Sequence, residues 1–180
     1  MSIDRDYLLD TNMLGYLAEA KAGSSAPKGQ QIAQTIARVQ NTGRKLFISS
    51  ITVGECEFGL YASPRVDRSK QDVARAVLAS FPAIMVLPVD TNVAKFSYAT
   101  LRAALFDKYA PKDRRGLAKK KFVGEWTDPT TQKELGVDEN DVWIASIAMA
   151  YNLTLVSDDR MVKIRDAAGM QLSVENWGAP

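Results

Sequence analysis

The chain has 180 residues, with 46% apolar residues, 24% charged residues and a net charge of +2. That composition is expected of one soluble globular domain over residues 1–180 and excludes disorder along the whole length. There is no histidine and a single cysteine, Cys56, which excludes imidazole bases, serine–histidine triads, histidine–zinc sites and an intrachain disulfide.

In chain order, Tyr7-Leu8-Leu9 is a short apolar strand that ends at Asp10, and Asn12–Lys21 has helical spacing. A small-residue loop over Gly23–Gly29 leads to an amphipathic helix over Gln30–Gln40, with Ile32, Ile36 and Val39 on one stripe. Leu46–Ser49 is a second strand, followed by helices over Thr52–Tyr61 and Asp67–Ser80, the latter ended by Pro82. Ile84–Leu87 is a third strand. Thr91–Lys108 is a long helix expected to turn Val93, Phe96, Leu101 and Leu105 inward. The pattern fails over residues 109–137, which hold Pro111, Gly116, Gly124, Pro129 and Gly136 and predict a long loop, with at most a short helix near Leu117–Trp126. Asp141–Tyr151 is apolar nearly all round, the mark of a buried helix. Thr154–Ser157 is a fourth strand, Asp159–Ala168 a helix ended by Gly169, and Gln171–Val174 a fifth strand. This alternation predicts a three-layer α/β/α sandwich around a mainly parallel five-stranded sheet.

The N-terminus carries no basic stretch leading into a long apolar one, so a secretory signal is not expected. The apolar run Ala76–Val89 is broken by Ser80, Pro82 and Pro88 and is too short to span a bilayer. The cytoplasm is the expected location, and the lone cysteine fits a reducing compartment. Charge is uneven: Lys108–Lys121 holds seven basic residues and one acid, which leaves the rest of the chain net acidic.

In a parallel sheet the carboxyl ends of the strands share one edge, and the crossover helices begin near it. Four acids fall there. Asp10 follows the first strand, Glu55 lies in the first turn after the second, Asp141 opens the buried helix, and Asp159 follows the fourth strand. Thr11 and Ser157 lie beside two of them. Four crowded carboxylates repel one another and raise at least one pKa. A hard divalent cation such as Mg²⁺ or Mn²⁺ resolves that conflict with oxygen ligands and retained waters. Such an ion supports phosphodiester hydrolysis without histidine.

With these residues in place, the sequence resembles the PIN-domain ribonucleases, most closely the VapC-type toxins of toxin–antitoxin pairs. The matching strings are Leu8-Leu9-Asp10-Thr11-Asn12, Ser49-Ser50-Ile51-Thr52-Val53-Gly54-Glu55 on to Gly59, Glu139-Asn140-Asp141-Val142-Trp143-Ile144-Ala145, and Leu155-Val156-Ser157-Asp158-Asp159. The resemblance covers roughly residues 5–62 and 84–177, and departs at a helical region near 22–42 and the basic loop insertion near 109–137. It implies a PIN-like strand order of 3-2-1-4-5 and a metal-dependent endoribonuclease held by a cognate antitoxin protein, often as a homodimer. It further implies that Asp10 and Asp141 bind Mg²⁺ or Mn²⁺ most directly, that Glu55 and Asp159 complete the pocket and position water, and that Thr11, Asn12 and Ser157 orient these ligands. Arg114, Arg115, Lys119, Lys120 and Lys121 become expected RNA contacts, since a basic segment supplies the salt-dependent attraction that an acidic pocket cannot.

Each residue also has a plainer role open to it. Asp10 can cap the following helix. Thr52-Val53-Gly54-Glu55 is a capping box. Asp141 can complement a helix dipole. Either Asp158 or Asp159 can be the acid after the fourth strand, and Glu139 is a surface acid near enough to join the site. Asp90 is expected to be an N-cap and Cys56 a buried apolar thiol. Trp126, Tyr109 and Phe122 can stack bases or pack the loop down. Two other functions compete with the nuclease: a catalytically idle PIN-like RNA-binding module, and a metal-dependent small-molecule phosphohydrolase. No Asp-x-Asp phosphatase string or Gly-rich phosphate loop favours the latter.

Overall fold

Three residues of the first strand, β1 (Tyr7–Leu9), already divide the molecule into layers. Successive strand side chains point to opposite faces. Tyr7 and Leu9 therefore join one apolar cluster, with Leu46, Ile48 and Val156, while Leu8 joins another, with Leu155. Both faces are covered, as a parallel sheet requires. The computed structural model describes residues 5–62, 68–82, 85–112, 116 and 122–178.

The sheet comprises β1, β2 (Leu46–Ser49), β3 (Val86–Leu87), β4 (Thr154–Val156) and β5 (Ser173–Glu175). Every pairing is parallel and the order is β3-β2-β1-β4-β5, so this is the expected PIN-like α/β/α fold. The first face is covered by α1 (Thr11–Lys21), α2 (Pro27–Asn41) and α4 (Arg68–Ala79), through residues such as Met13, Ile32 and Val77. The second is covered by α5 (Ala99–Tyr109), α6 (Glu139–Ala150) and α7 (Val162–Ala168), through Leu105, Ile144 and Ile164. Helix α3 (Ser50–Ala62) leaves the carboxyl end of β2. Fully buried Leu8, Leu9, Ile48 and Leu155 each contribute roughly 1.5–3 kcal/mol by leaving water.

Several boundaries move for identifiable reasons. Pro27 starts α2 three residues early, because proline suits a helix's first turn. Ser49, not a Thr52–Glu55 box, caps α3: its Oγ accepts from the Thr52 amide at 2.9 Å, which frees the Glu55 carboxylate. Asp138 caps α6 and Asp141 is its third residue, so Asp141 does not open that helix. The turn after β4 consumes Asp158–Arg160, and α7 begins only at Val162. Between Val93 and Tyr98 the helix widens into a π turn. There Val93 and Ser97 are buried and Phe96 is 65% exposed, contrary to the inward placement expected from α-helical spacing.

The insertion is tied down where it is described. Val123, Trp126, Leu135 and Val137 all enter the second core. Trp126 packs edge-on against Phe106 and carries the Arg102 guanidinium over its ring, so it holds the segment to α5. Arg114, Arg115, Lys119, Lys120 and Lys121, the expected RNA contacts, lie outside the described residues, as do Ile84 and Asp67 at the starts of two expected elements. Among the described residues no helix is long and apolar enough to cross a membrane.

Candidate active site

The first and fourth strands lie side by side, so the residues that follow them meet. Ser157 donates its hydroxyl to Asp10 Oδ2 at 2.6 Å, and Asn12 Nδ2 reaches the same oxygen at 2.9 Å and Ser157 Oγ at 3.2 Å. The Thr11 amide donates to Asp10 Oδ1 at 2.7 Å, so Asp10 is a helix cap and a buried acid at once. Asn12 also accepts the Asp158 amide at 3.1 Å and thereby fixes the turn after β4.

Glu55 is brought in from α3. The Thr11 hydroxyl donates to its Oε2, and Asn140 Nδ2 donates to its Oε1 at 2.7 Å. Asn140 thus ties α6 to α3; its signal in the sequence was only its place beside Asp141, and the expected site residues omit it. Asp141 Oδ2 accepts from the Asp138 amide at 3.2 Å, and Asp159 Oδ1 accepts from the Met161 amide at 2.9 Å. Met161 takes a left-handed conformation, φ 46°, uncommon for a side chain of this kind and an indication of a tightly determined turn.

The charges of these acids act on one another. Asp10 is 4% exposed. Burial raises its pKa, Glu55 and Asp159 raise it further, and the Ser157 and Thr11 hydrogen bonds oppose the rise. Asp141 is pushed up to about 6, chiefly by burial and then by Asp10, Asp138 and Asp159, against the lowering effect of the Asp138 amide. Among the described residues no lysine or arginine forms an ion pair with Asp10, Glu55, Asp141 or Asp159. Thr11 bridges Asp10 and Glu55, Asp141 and Asp159 line one cleft, and the hydrogen bonds to the four acids among the described residues come from hydroxyls and amides.

The neighbouring acids sort differently. Asp158 accepts Lys28 Nζ at 2.6 Å and the Tyr16 hydroxyl at 2.9 Å, and the lysine holds its pKa below the usual carboxylate range. It fastens α2 to the site's flank and leaves Asp159 as the acid that faces the others electrostatically. Glu139 is not a surface acid: it accepts from the Tyr98 hydroxyl and pairs with Arg102 at 3.0 Å, under the stacked rings of Tyr98 and Trp143. Asp90 caps its helix through the Val93 amide at 2.8 Å. Cys56 is half-buried rather than buried, and burial, then Glu55, pushes its thiol up to about 11.

The donor set suits a hard cation. It consists of carboxylate oxygens with hydroxyl and amide support, and among the described residues none of these carboxylates has an ion-pair partner. Among the described residues no group of three acidic side chains is placed to hold a metal ion by itself.

No family model matches the chain, and no curated protein matches it. Solved structures do share its fold. It is similar to VapBC2 from Rickettsia felis bound to a DNA fragment from their promoter, at 22% identity and TM-score 0.57, over 95% of this chain and 98% of that one. It is also similar to FitAcB from Neisseria gonorrhoeae, at 21% identity and TM-score 0.60, over 95% of this chain and 97% of that one. DNA-bound VapBC from Salmonella typhimurium aligns at 22% identity and TM-score 0.56, over 96% and 98%. These likenesses extend along nearly the whole chain and establish the fold.

Proposed function

We propose that the chain is a Mg²⁺- or Mn²⁺-dependent endoribonuclease of the PIN type, the toxin of a toxin–antitoxin pair. The observation that carries this reading is that Thr11 bridges Asp10 and Glu55 while Asp141 and Asp159 line one cleft, and that none of the four has an ion-pair partner among the described residues. Asp10 and Asp141 would hold the ion. When bound, it supplies a water of lowered pKa and neutralises charge that develops on the phosphate. Glu55, fixed by Thr11 and Asn140, and Asp159, fixed through its turn, would orient water toward the phosphorus and accept its proton. Ser157 and Asn12 hold Asp10 Oδ2 in place, which preserves the ligand's direction.

RNA is the substrate this reading favours, because the Lys108–Lys121 segment of the sequence is strongly basic and would supply an attraction to phosphates that an acidic site cannot. For the antitoxin, a groove with a cavity volume of about 660 Å³ runs between Gly15 and Ala18 of α1, Ala22 just past its end, and Leu60 and Ala74 of α3 and α4. Small residues there allow close approach of an apolar segment, and α3 also exposes Phe58 and Tyr61. The VapBC and FitAB assemblies that share the fold support such a partner. Self-association, implied by the same resemblance, is measured by light scattering at several concentrations.

The test is digestion of defined RNAs with Mn²⁺, with EDTA, and with Asp10→Asn. Cleavage that needs the metal and Asp10 is expected; cleavage that survives both treatments overturns the mechanism. Metal-independent RNA binding without turnover would mark an idle module, and turnover of a simple phosphomonoester with RNA intact would mark a phosphohydrolase.

A further inference from the structure

The turn after β4 spans Asp158–Arg160, yet three distant parts of the chain hold it. Asp158 accepts Lys28 Nζ from α2 at 2.6 Å and the Tyr16 hydroxyl from α1 at 2.9 Å. From just past β5, Asn176 Nδ2 donates to the Asp158 carbonyl at 3.1 Å and to its Oδ1 at 3.4 Å. The Gly178 amide occupies the Asn176 side-chain oxygen at 2.8 Å, which leaves that Nδ2 to face the turn. A Cβ at Gly178 would stand 2.7 Å from Lys28 Cε, so a side chain there would displace the lysine. Lys28 belongs to the helical region where the resemblance to PIN-domain ribonucleases departs. Its pair with Asp158 is partly open to water, with side chains 37% and 24% exposed, and such a pair adds little to stability. What the hold secures is the backbone of the turn.

Two amides of that turn reach the site. The Asp158 amide donates to Asn12 Oδ1 at 3.1 Å, and the Asp159 amide to Ser157 Oγ at 3.0 Å. An asparagine side chain has one acceptor end and one donor end. With its oxygen taken, Asn12 presents Nδ2 to Asp10 Oδ2 at 2.9 Å and to Ser157 Oγ at 3.2 Å. A serine hydroxyl has two lone pairs and one proton. Asn12 and the Asp159 amide fill the lone pairs, which leaves the proton for Asp10 Oδ2 at 2.6 Å. The turn thus sets the polarity of both side chains that hold Asp10. Were Asn12 turned over, its oxygen would face the carboxylate and repel it. With the Thr11 amide on Oδ1, the donors among the described residues leave Asp10 one lone pair, on that oxygen.

We propose that Asp158 is a positioning residue for Asp10: Lys28, Tyr16 and Asn176 fix its place, and its amide, through Asn12, aims the Asp10 carboxylate at the cation. The inference rests on the metal-site part of the nuclease reading and adds to it a control exerted from α2 and from the residues after β5. Asp158 acts through Asn12 and is assigned no contact with the ion or the RNA.

The experiment uses the full chain, with Mn²⁺ binding measured by calorimetry and RNA cleavage measured at fixed Mn²⁺. Lys28→Met keeps the stem and removes the ammonium. It and Asp158→Ala should each weaken Mn²⁺ binding about tenfold, as loss of a group that orients a ligand does. In both variants kcat should fall with KM for RNA unchanged, and Lys28→Arg should bring Kd and kcat back toward wild type. Lys28→Met, at a partly exposed position, carries the test if Asp158→Ala does not fold. In an Asn12→Ala chain, Lys28→Met should weaken Mn²⁺ binding no further, because the two residues act along one path. A merely structural role predicts a lower Tm with Kd unchanged. That result, in a wild type that binds Mn²⁺ and cuts RNA, overturns the proposal and leaves the nuclease. A wild type that binds Mn²⁺ without cutting RNA overturns the nuclease, and the Kd series then decides the proposal by itself. A wild type that binds no Mn²⁺ removes both.

Discussion

Asp10 and Asp128 are both 4% exposed, yet the protein treats them in opposite ways. At Asp128 the Lys163 ammonium lies against the carboxylate and holds its pKa below the usual range, with the Thr130 and Thr131 amides assisting. At Asp10, burial dominates and Glu55 and Asp159 add to it, so its pKa rises. The chain can supply a cation to a buried carboxylate, and does so where the carboxylate's task is to clasp a segment. At the sheet edge it supplies hydroxyls and amides instead. Under the proposed function, a carboxylate given direction but no ion-pair partner among the described residues is where a cation from solution would bind.

Substitutions should separate the two. Asp10→Asn should lower metal-dependent RNA cleavage by more than ~100-fold, beyond the ~10–100-fold typical of residues that only orient a ligand, with the fold intact by circular dichroism. Ser157→Ala, which removes the 2.6 Å hydrogen bond to Asp10, should cost about tenfold in cleavage and weaken Mn²⁺ binding measured by calorimetry. Lys163→Met should act on stability: it leaves Asp128 buried without its cation and should lower Tm by several degrees in a thermal melt, whereas Asp10→Asn should not. Mn²⁺ at ten times its Kd should stabilise the wild type by about 1.4 kcal/mol, read as a rise in Tm. The rise should persist in Lys163→Met and vanish in Asp10→Asn; equal responses would erase the distinction.

A further effect concerns pH. Asp141, raised to about 6 in the folded protein, holds its proton more tightly there than in the unfolded chain. Its stabilising contribution is therefore complete at pH below its ordinary value and is lost as pH rises through about 6. In EDTA, Asp141→Asn should raise Tm at pH 7.5 and leave it unchanged near pH 3.5. A melt series across that range checks both sign and window, and added Mn²⁺ should shrink the gain by satisfying the wild-type carboxylate.

Local pattern carried much of this architecture. Period-two and helical spacing located the strands and helices, because each element must bury one face, and the acids after strands fell at the shared edge because parallel connections leave no alternative. Capping was less legible: Thr52–Glu55 has the spacing of a box, but Ser49 sits one turn earlier and its hydroxyl takes the Thr52 amide instead. The π turn at Val93–Tyr98 leaves no mark in hydrophobic spacing, so Phe96 came out on the wrong side.

The sequence by itself determined the strands, their parallel order and the sheet edge at which residues following the strands gather, since strand direction and side-chain alternation are local properties. Only the tertiary structure decided which carboxylate meets a cation. Asp158 and Asp159 are neighbours in the chain, and Asp128 has no distinguishing context. Lys28 reaches Asp158 across 130 positions and Lys163 reaches Asp128 across 35, so the pairing depends on how distant helices pack rather than on any spacing along the chain.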